Sequence, residues 1–128
     1  MPQAYLIAII DDDQAVRDAL FDLLEVEGLA ARTFGSATAF LAHQATEEFD
    51  CLITDVHMPD IDGFELQEQL RAIGKTIPMI FITSSTNENM RARALRNGAV
   101  AWFIKPVEDE ALLHAIRMAL DENGTSSG

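Results

Sequence analysis

Apolar residues in this chain fall in short unbroken blocks rather than alternating with polar ones. Ala4 to Ile10 (AYLIAII), Cys51 to Thr54 (CLIT), Ile77 to Thr83 (IPMIFIT) and Ala99 to Ile104 (AVAWFI) are four such blocks. Each reads as a strand covered on both faces, since burial on both sides removes polar alternation. Leu29 to Phe34 reads as a fifth, shorter strand, interrupted by Arg32. The intervals between blocks carry a helical period. Val16, Ala19, Leu20, Leu23 and Leu24 stripe a helix from Gln14 to Glu27, opened by Asp13 or Gln14, with Gly28 just past its end. Ser36 suits an N-cap for Ala37 to His43. Asp62-Gly63-Phe64-Glu65 has the spacing of a capping box, opening a helix that stops near Gly74. Glu88 to Asn97 forms a helix closed by Gly98. Acidic Glu108, Asp109 and Glu110 favour the start of a last helix striped by Leu112, Leu113, Ile116 and Leu120. Strict alternation of five strands with five helices predicts right-handed crossovers and a doubly wound α/β domain with a five-stranded parallel sheet.

In such a sheet the carboxyl ends of all strands share one rim, where open α/β folds build their sites. That rim collects Asp11, Asp12 and Asp13 after the first strand and Asp55 after the third. It also collects Thr83 and Ser84 after the fourth and Lys105 after the fifth. Converging carboxylates repel one another unless some are protonated or a cation sits among them. Carboxylates with a backbone carbonyl and waters suit Mg²⁺. The scattered histidines His43, His57 and His114 argue against zinc. A metal, a lysine and a hydroxyl around one carboxylate are the parts needed for phosphoryl transfer, with Asp55 as nucleophile. Each residue also has a plainer reading: Asp13 as a helix cap, Asp60 and Asp62 as turn and cap, Thr83 as a strand end, Lys105 as a solvated charge. Their conjunction at successive strand ends favours the chemical one.

Bulk properties narrow the possibilities. The 128 residues suit one domain: residues 1–121 form the folded unit, and residues 122–128, with linker composition, form a flexible tail or the start of a linker. Nine Lys and Arg against 21 Asp and Glu give a formal charge of −12, which repels nucleic acid and anionic lipid. No apolar stretch approaches a membrane span, and the N-terminus lacks a signal-peptide pattern. The one cysteine, Cys51, opens an apolar block, reads as a buried inert thiol and fits a reducing cytoplasm.

Along residues 4–120 the chain resembles a response-regulator receiver domain of two-component signalling, a flavodoxin-like fold. The matching pieces are IIDDD after strand one, TDVHMPDIDGFEL around Asp55, IFITSS after strand four and GAVAWFIKP at strand five. The resemblance implies that Asp55 is the phosphoacceptor. Asp11 and Asp12 form a Mg²⁺ (or Mn²⁺) pair with Asp12 the direct ligand, assisted by Asp55 and the His57 carbonyl. Lys105 pairs with the phosphate, Thr83 is the switch hydroxyl, and the Lys105–Pro106 bond is cis. His57 and Ser85, two residues beyond Asp55 and Thr83, tune the phosphoryl lifetime. The implied partners are a sensor histidine kinase or phosphotransfer protein, docking near Arg17, and an output domain, partner protein or second copy meeting the last two helices. Arg91, Arg93 and Arg96 supply either positive spots for that face or a solvated helix surface. The family's aromatic switch position falls on Trp102, where Tyr or Phe is commoner. Trp102 is then either a switch residue or an outward contact.

Three other readings compete. A haloacid-dehalogenase-type phosphatase would use Asp11-x-Asp13 but leaves Asp55 unexplained. A flavodoxin-like cofactor binder would have to cradle a phosphate against three aspartates. A degenerate receiver would serve only as a docking module.

Overall fold

The computed structural model describes residues 5–125. Its elements, in chain order, are β1 (Leu6–Ile10), α1 (Gln14–Val26), β2 (Ala30–Phe34), α2 (Ala37–His43), β3 (Cys51–Thr54), α3 (Gly63–Ala72), β4 (Met79–Thr83), α4 (Glu88–Arg96), β5 (Ala101–Ile104) and α5 (Asp109–Thr125). All five strands are parallel in one sheet of order β2-β1-β3-β4-β5. The doubly wound architecture expected from the apolar blocks is the one observed.

Successive side chains on a strand point to opposite faces, and this divides the core in two. Ile7, Ile9, Cys51, Ile53, Ile80 and Ile82 pack against α1 and α5 through Leu20, Leu24, Leu112 and Ile116. Ala8, Ile10, Leu52, Met79 and Phe81 pack against α2, α3 and α4 through Ala37, Phe40, Phe64, Leu66 and Ala94. Both faces of the inner strands are thus covered, which is why their sequences show no polar alternation. Edge strand β2 tolerates Arg32 because its side chain leaves the sheet and pairs with Glu47, 3.0 Å away.

The ends of several elements differ from expectation for local reasons. Ala4 lies outside the described residues, and β1 begins at Leu6. Leu29 donates its N–H to the Leu24 carbonyl and so belongs to the close of α1, leaving β2 to start at Ala30. β4 starts at Met79, because Pro78 has no N–H to give the sheet and contributes only its carbonyl, to Leu52. Ala99 bonds back to the Ala94 carbonyl at the end of α4, so β5 starts at Ala101. Helix α5 carries on to Thr125, into the stretch expected as tail. No proline interrupts that stretch, so helical hydrogen bonding propagates through it.

Candidate functional site

The site is set by strand register. Ile10 of β1 lies opposite Thr54 of β3, so the next residues, Asp11 and Asp55, emerge side by side on the rim. Asp55 donates its N–H to the Ile10 carbonyl at 3.2 Å, and Asp11 donates to Phe34 at 3.1 Å. Two strands away, the Lys105 N–H donates to the Thr83 carbonyl at 2.8 Å, extending the β4–β5 pairing by one step and fixing where the lysine leaves the sheet.

These anchors bring three charges together. Lys105 Nζ lies 2.9 Å from Asp11 Oδ2 and 2.7 Å from Asp55 Oδ2. The Asp11 and Asp55 side chains are only 3% and 8% exposed. Charge-assisted bonds of this kind contribute about 1.5–3 kcal/mol each. Burial pulls the Lys105 ammonium down, but its hydrogen bonds to Asp55 and Asp11, with the attraction of both charges, outweigh that, and its pKa stands above the ordinary lysine range. The remaining carboxylate oxygens are oriented by the backbone: the His57 N–H donates to Asp55 Oδ1 at 3.2 Å, and the Asp13 N–H to Asp11 Oδ1 at 2.9 Å.

The other expected residues surround this centre with varying closeness. Thr83 is fully buried, and its Oγ1 accepts the Ser85 N–H at 3.2 Å. Ser85 Oγ in turn accepts the Asn87 N–H at 3.3 Å, next to the start of α4. Trp102 is paired with Phe81 in the β4–β5 register, and the two rings are 5.7 Å apart. It is half-buried and packs inward on the core rather than standing free of it. The His57 side chain is exposed. The Lys105–Pro106 bond is cis. Asp13 accepts the Ala15 N–H and caps α1, and Asp62 with Glu65 forms the capping box of α3, so both plainer readings describe these residues correctly.

Asp12 is the residue the structure leaves aside. It is exposed, and among the described residues its carboxylate enters no hydrogen bond or ion pair. Among the described residues no three His, Cys, Asp or Glu side chains gather closely enough to hold a metal ion. The donors are nonetheless of the chemical type that a hard divalent cation takes, carboxylate and carbonyl oxygens. Two buried carboxylates already converge on one cationic atom, Asp12 adjoins them with an unengaged carboxylate, and the His57 carbonyl accepts no hydrogen bond among the described residues.

Two ties in this region have no sequence signature. Arg17 Nη1 donates to the Asp11 carbonyl, although six residues is not a helical contact spacing. Asp60 is more than a turn residue: its Oδ2 accepts the Thr38 N–H at 3.0 Å, binding the loop after β3 to the start of α2.

Related proteins share the sequence and fold of this chain. The response regulator receiver domain model matches residues 7–117. Response regulator protein TodT of Pseudomonas putida is 43% identical over 118 residues, covering 92% of this chain and 52% of that protein. Transcriptional regulatory protein FixJ of Azorhizobium caulinodans is 38% identical over 120 residues, covering 94% and 57%. The chain therefore spans about half the length of these curated relatives. Among solved structures, a CheY-like receiver domain protein of Methanospirillum hungatei JF-1 superposes with a TM-score of 0.89 at 31% identity, covering 97% of this chain and 99% of that one. Response regulator StyR superposes equally well, at 0.89 with 40% identity, covering 98% of this chain and 63% of that one. With a matching family model over most of its length and the same five-stranded fold, this chain belongs to the response-regulator receiver-domain family.

Proposed function

We propose that the chain is a phosphoacceptor switch in which Asp55 receives a phosphoryl group from a phosphohistidine on a partner kinase or phosphotransfer protein. The observation that carries this reading is the convergence of Asp11 and Asp55 on Lys105 Nζ at the carboxyl rim of the sheet. An Asp55 carboxylate oxygen attacks phosphorus, the P–N bond to the donor histidine breaks, and an acyl phosphate forms on Asp55. Lys105, already held between the two carboxylates, pairs with the arriving phosphoryl oxygens and offsets their charge. Asp11, Asp12, Asp55 and the His57 carbonyl would hold Mg²⁺ or Mn²⁺, which when bound supplies further charge neutralisation during transfer. Thr83 sits at the end of β4 with a hydroxyl able to turn from its present Ser85 contact toward a phosphoryl oxygen. His57 and Ser85 flank the path of hydrolytic water and set how long the acyl phosphate lasts.

The output follows from the same geometry. Thr83 and Trp102 lie on neighbouring strands, so drawing Thr83 toward the phosphate alters the packing against which Trp102 rests. The α4–β5–α5 face then engages an output domain, a partner protein or a second copy. Its relatives include transcriptional regulators, but the acidic balance of this chain speaks against DNA binding by this domain itself. Among the described residues no helix is long and apolar enough to cross a membrane, and a cytoplasmic location suits the buried free thiol of Cys51.

The test is incubation with Mg²⁺ and a small phosphodonor, read by intact mass. The expected result is one phosphoryl adduct on the wild type and none on Asp55→Asn. An unmodified wild type would leave the docking-module reading in its place, and an equal adduct on Asp55→Asn would move the acceptor elsewhere.

A further inference from the structure

Asp11 is fixed through every polar group it has. Its N–H donates to Phe34, Oδ1 accepts from Asp13, Oδ2 accepts from Lys105, and its carbonyl accepts from Arg17 Nη1. The last of these differs from the rest because it crosses from helix α1 back to the loop. Arg17 also donates its own N–H to the Asp13 carbonyl at 3.1 Å. That second bond is the ordinary i→i−4 bond of the first helical turn, so the side chain alone ties α1 to the residue before Asp12, whose carboxylate has no partner of its own among the described residues. Gly35 leaves the guanidinium room, since a Cβ built there would lie 3.5 Å from Nη1. The side-chain bond joins α1 to the β1–α1 loop.

Which oxygen Arg17 selects matters. Four aspartates, Asp11, Asp12, Asp13 and Asp55, stand at the ends of two adjacent strands. A guanidinium this close would ordinarily form a bidentate pair with a carboxylate, and any metal would then have to displace it. Arg17 bonds a peptide carbonyl instead, so it steadies the acidic loop without itself occupying a carboxylate oxygen.

We propose that Arg17 is a positioning residue for the divalent-cation site, holding the Asp11–Asp12 backbone in the conformation from which both carboxylates reach one ion. The inference rests on the metal-assisted phosphoacceptor reading above. It separates cleanly from a plain electrostatic role, because the two predict opposite signs. Deleting a positive charge beside a cation site strengthens cation binding by Coulomb's law. Deleting a residue that orients the ligands weakens it.

The experiment is titration of the full chain with Mg²⁺ alone, followed by calorimetry or by the emission of Trp102, for wild type, Arg17→Met and Arg17→Lys. Arg17→Met keeps the stem and removes the donors, and its Kd for Mg²⁺ is expected to rise about tenfold or more, as when partners that orient metal ligands are lost. Arg17→Lys falls between, since a single ammonium reaches the carbonyl but lacks the planar, fixed donor geometry of the guanidinium. A folded Arg17→Met that binds Mg²⁺ as tightly as wild type, or more tightly, overturns the inference and leaves Arg17 satisfying a strand-end carbonyl only. Should Arg17→Met not fold, Arg17→Lys decides by the same criterion. A wild type that binds no Mg²⁺ removes the metal-assisted reading and this inference with it, whereas equal binding by wild type and variant removes the inference alone.

Discussion

Gly63 lies hard against Phe81: a Cβ on this glycine would sit 2.6 Å from Cε1 of the phenylalanine ring and 2.9 Å from the Asp55 carbonyl oxygen. The first residue of α3 is thus wedged between the core of the sheet and the backbone of the phosphoacceptor candidate. Its N–H donates to the Val56 carbonyl at 2.8 Å, which closes the loop that Asp55 begins.

Gly63→Ala is therefore expected to destabilise the fold by about 1–3 kcal/mol, the usual cost of forcing a methyl group into a filled space. Neither neighbour yields easily, one being a buried ring and the other main chain. Urea denaturation measures the loss. A variant as stable as wild type would mean that the α3 start moves away from Phe81 freely.

The Lys105 bridge gives a prediction in pH. Its pKa is raised in the folded state, so by linkage its contribution to stability is complete below about pH 10.4, the unfolded value, and is lost as pH climbs through the higher folded value. The ¹³Cε resonance of Lys105, assigned by its absence in Lys105→Met, should titrate above the ordinary lysine range. A midpoint at or below that range would show that burial outweighs the two aspartates. At neutral pH, Lys105→Met leaves Asp11 and Asp55 buried side by side without their shared cation and should cost about 2 kcal/mol or more.

How much of this was readable beforehand depends on the range of each interaction. The strands were legible because burial on both faces leaves unbroken apolar runs, and the convergence of Asp11, Asp55 and Lys105 followed once the sheet was known to be parallel. The capping box at Asp62 and Glu65 was legible because it is local. The Arg17–Asp11 and Asp60–Thr38 ties were not, since both join a side chain to a main-chain group, and every residue offers the same backbone. Hydropathy puts strand starts at Ile77 and Ala99, since it does not register that Pro78 lacks an N–H or that Ala99 is still engaged with α4. Asp12 shows the opposite limit: its place in the chain suggests a ligand, yet its exposed carboxylate is not gathered with Asp11 and Asp55.

Cys51 should be unreactive in the native state. It is fully buried at the start of β3, and burial pushes its thiol up to about 12. Only the thiolate attacks, so alkylation at neutral pH requires both opening of the sheet and deprotonation. Iodoacetamide is expected to label Cys51 at a rate that follows denaturant concentration and to leave it intact in buffer. Rapid labelling without denaturant would place β3 among the locally unstable parts of the fold.

Trp102 offers the most direct view of any switch, since it is the one tryptophan in the chain and rests on Phe81. The contact continues inward: the Phe81 ring lies 5.9 Å from Phe64 on α3, and Arg93 of α4 stands 4.2 Å above the centre of the Phe64 ring. A movement of Thr83, two residues along β4 from Phe81, changes the packing that sets the polarity around the indole. Phosphorylation of Asp55 should therefore alter Trp102 emission. Thr83→Val should still accept phosphate but give a smaller change, because it keeps the shape of the side chain and loses the hydroxyl. Emission that stays constant with stoichiometric phosphate on Asp55 would assign Trp102 to surface contact alone. A full change in Thr83→Val would route the signal through the β3–α3 loop, by way of Gly63 and Phe81, instead of through the end of β4.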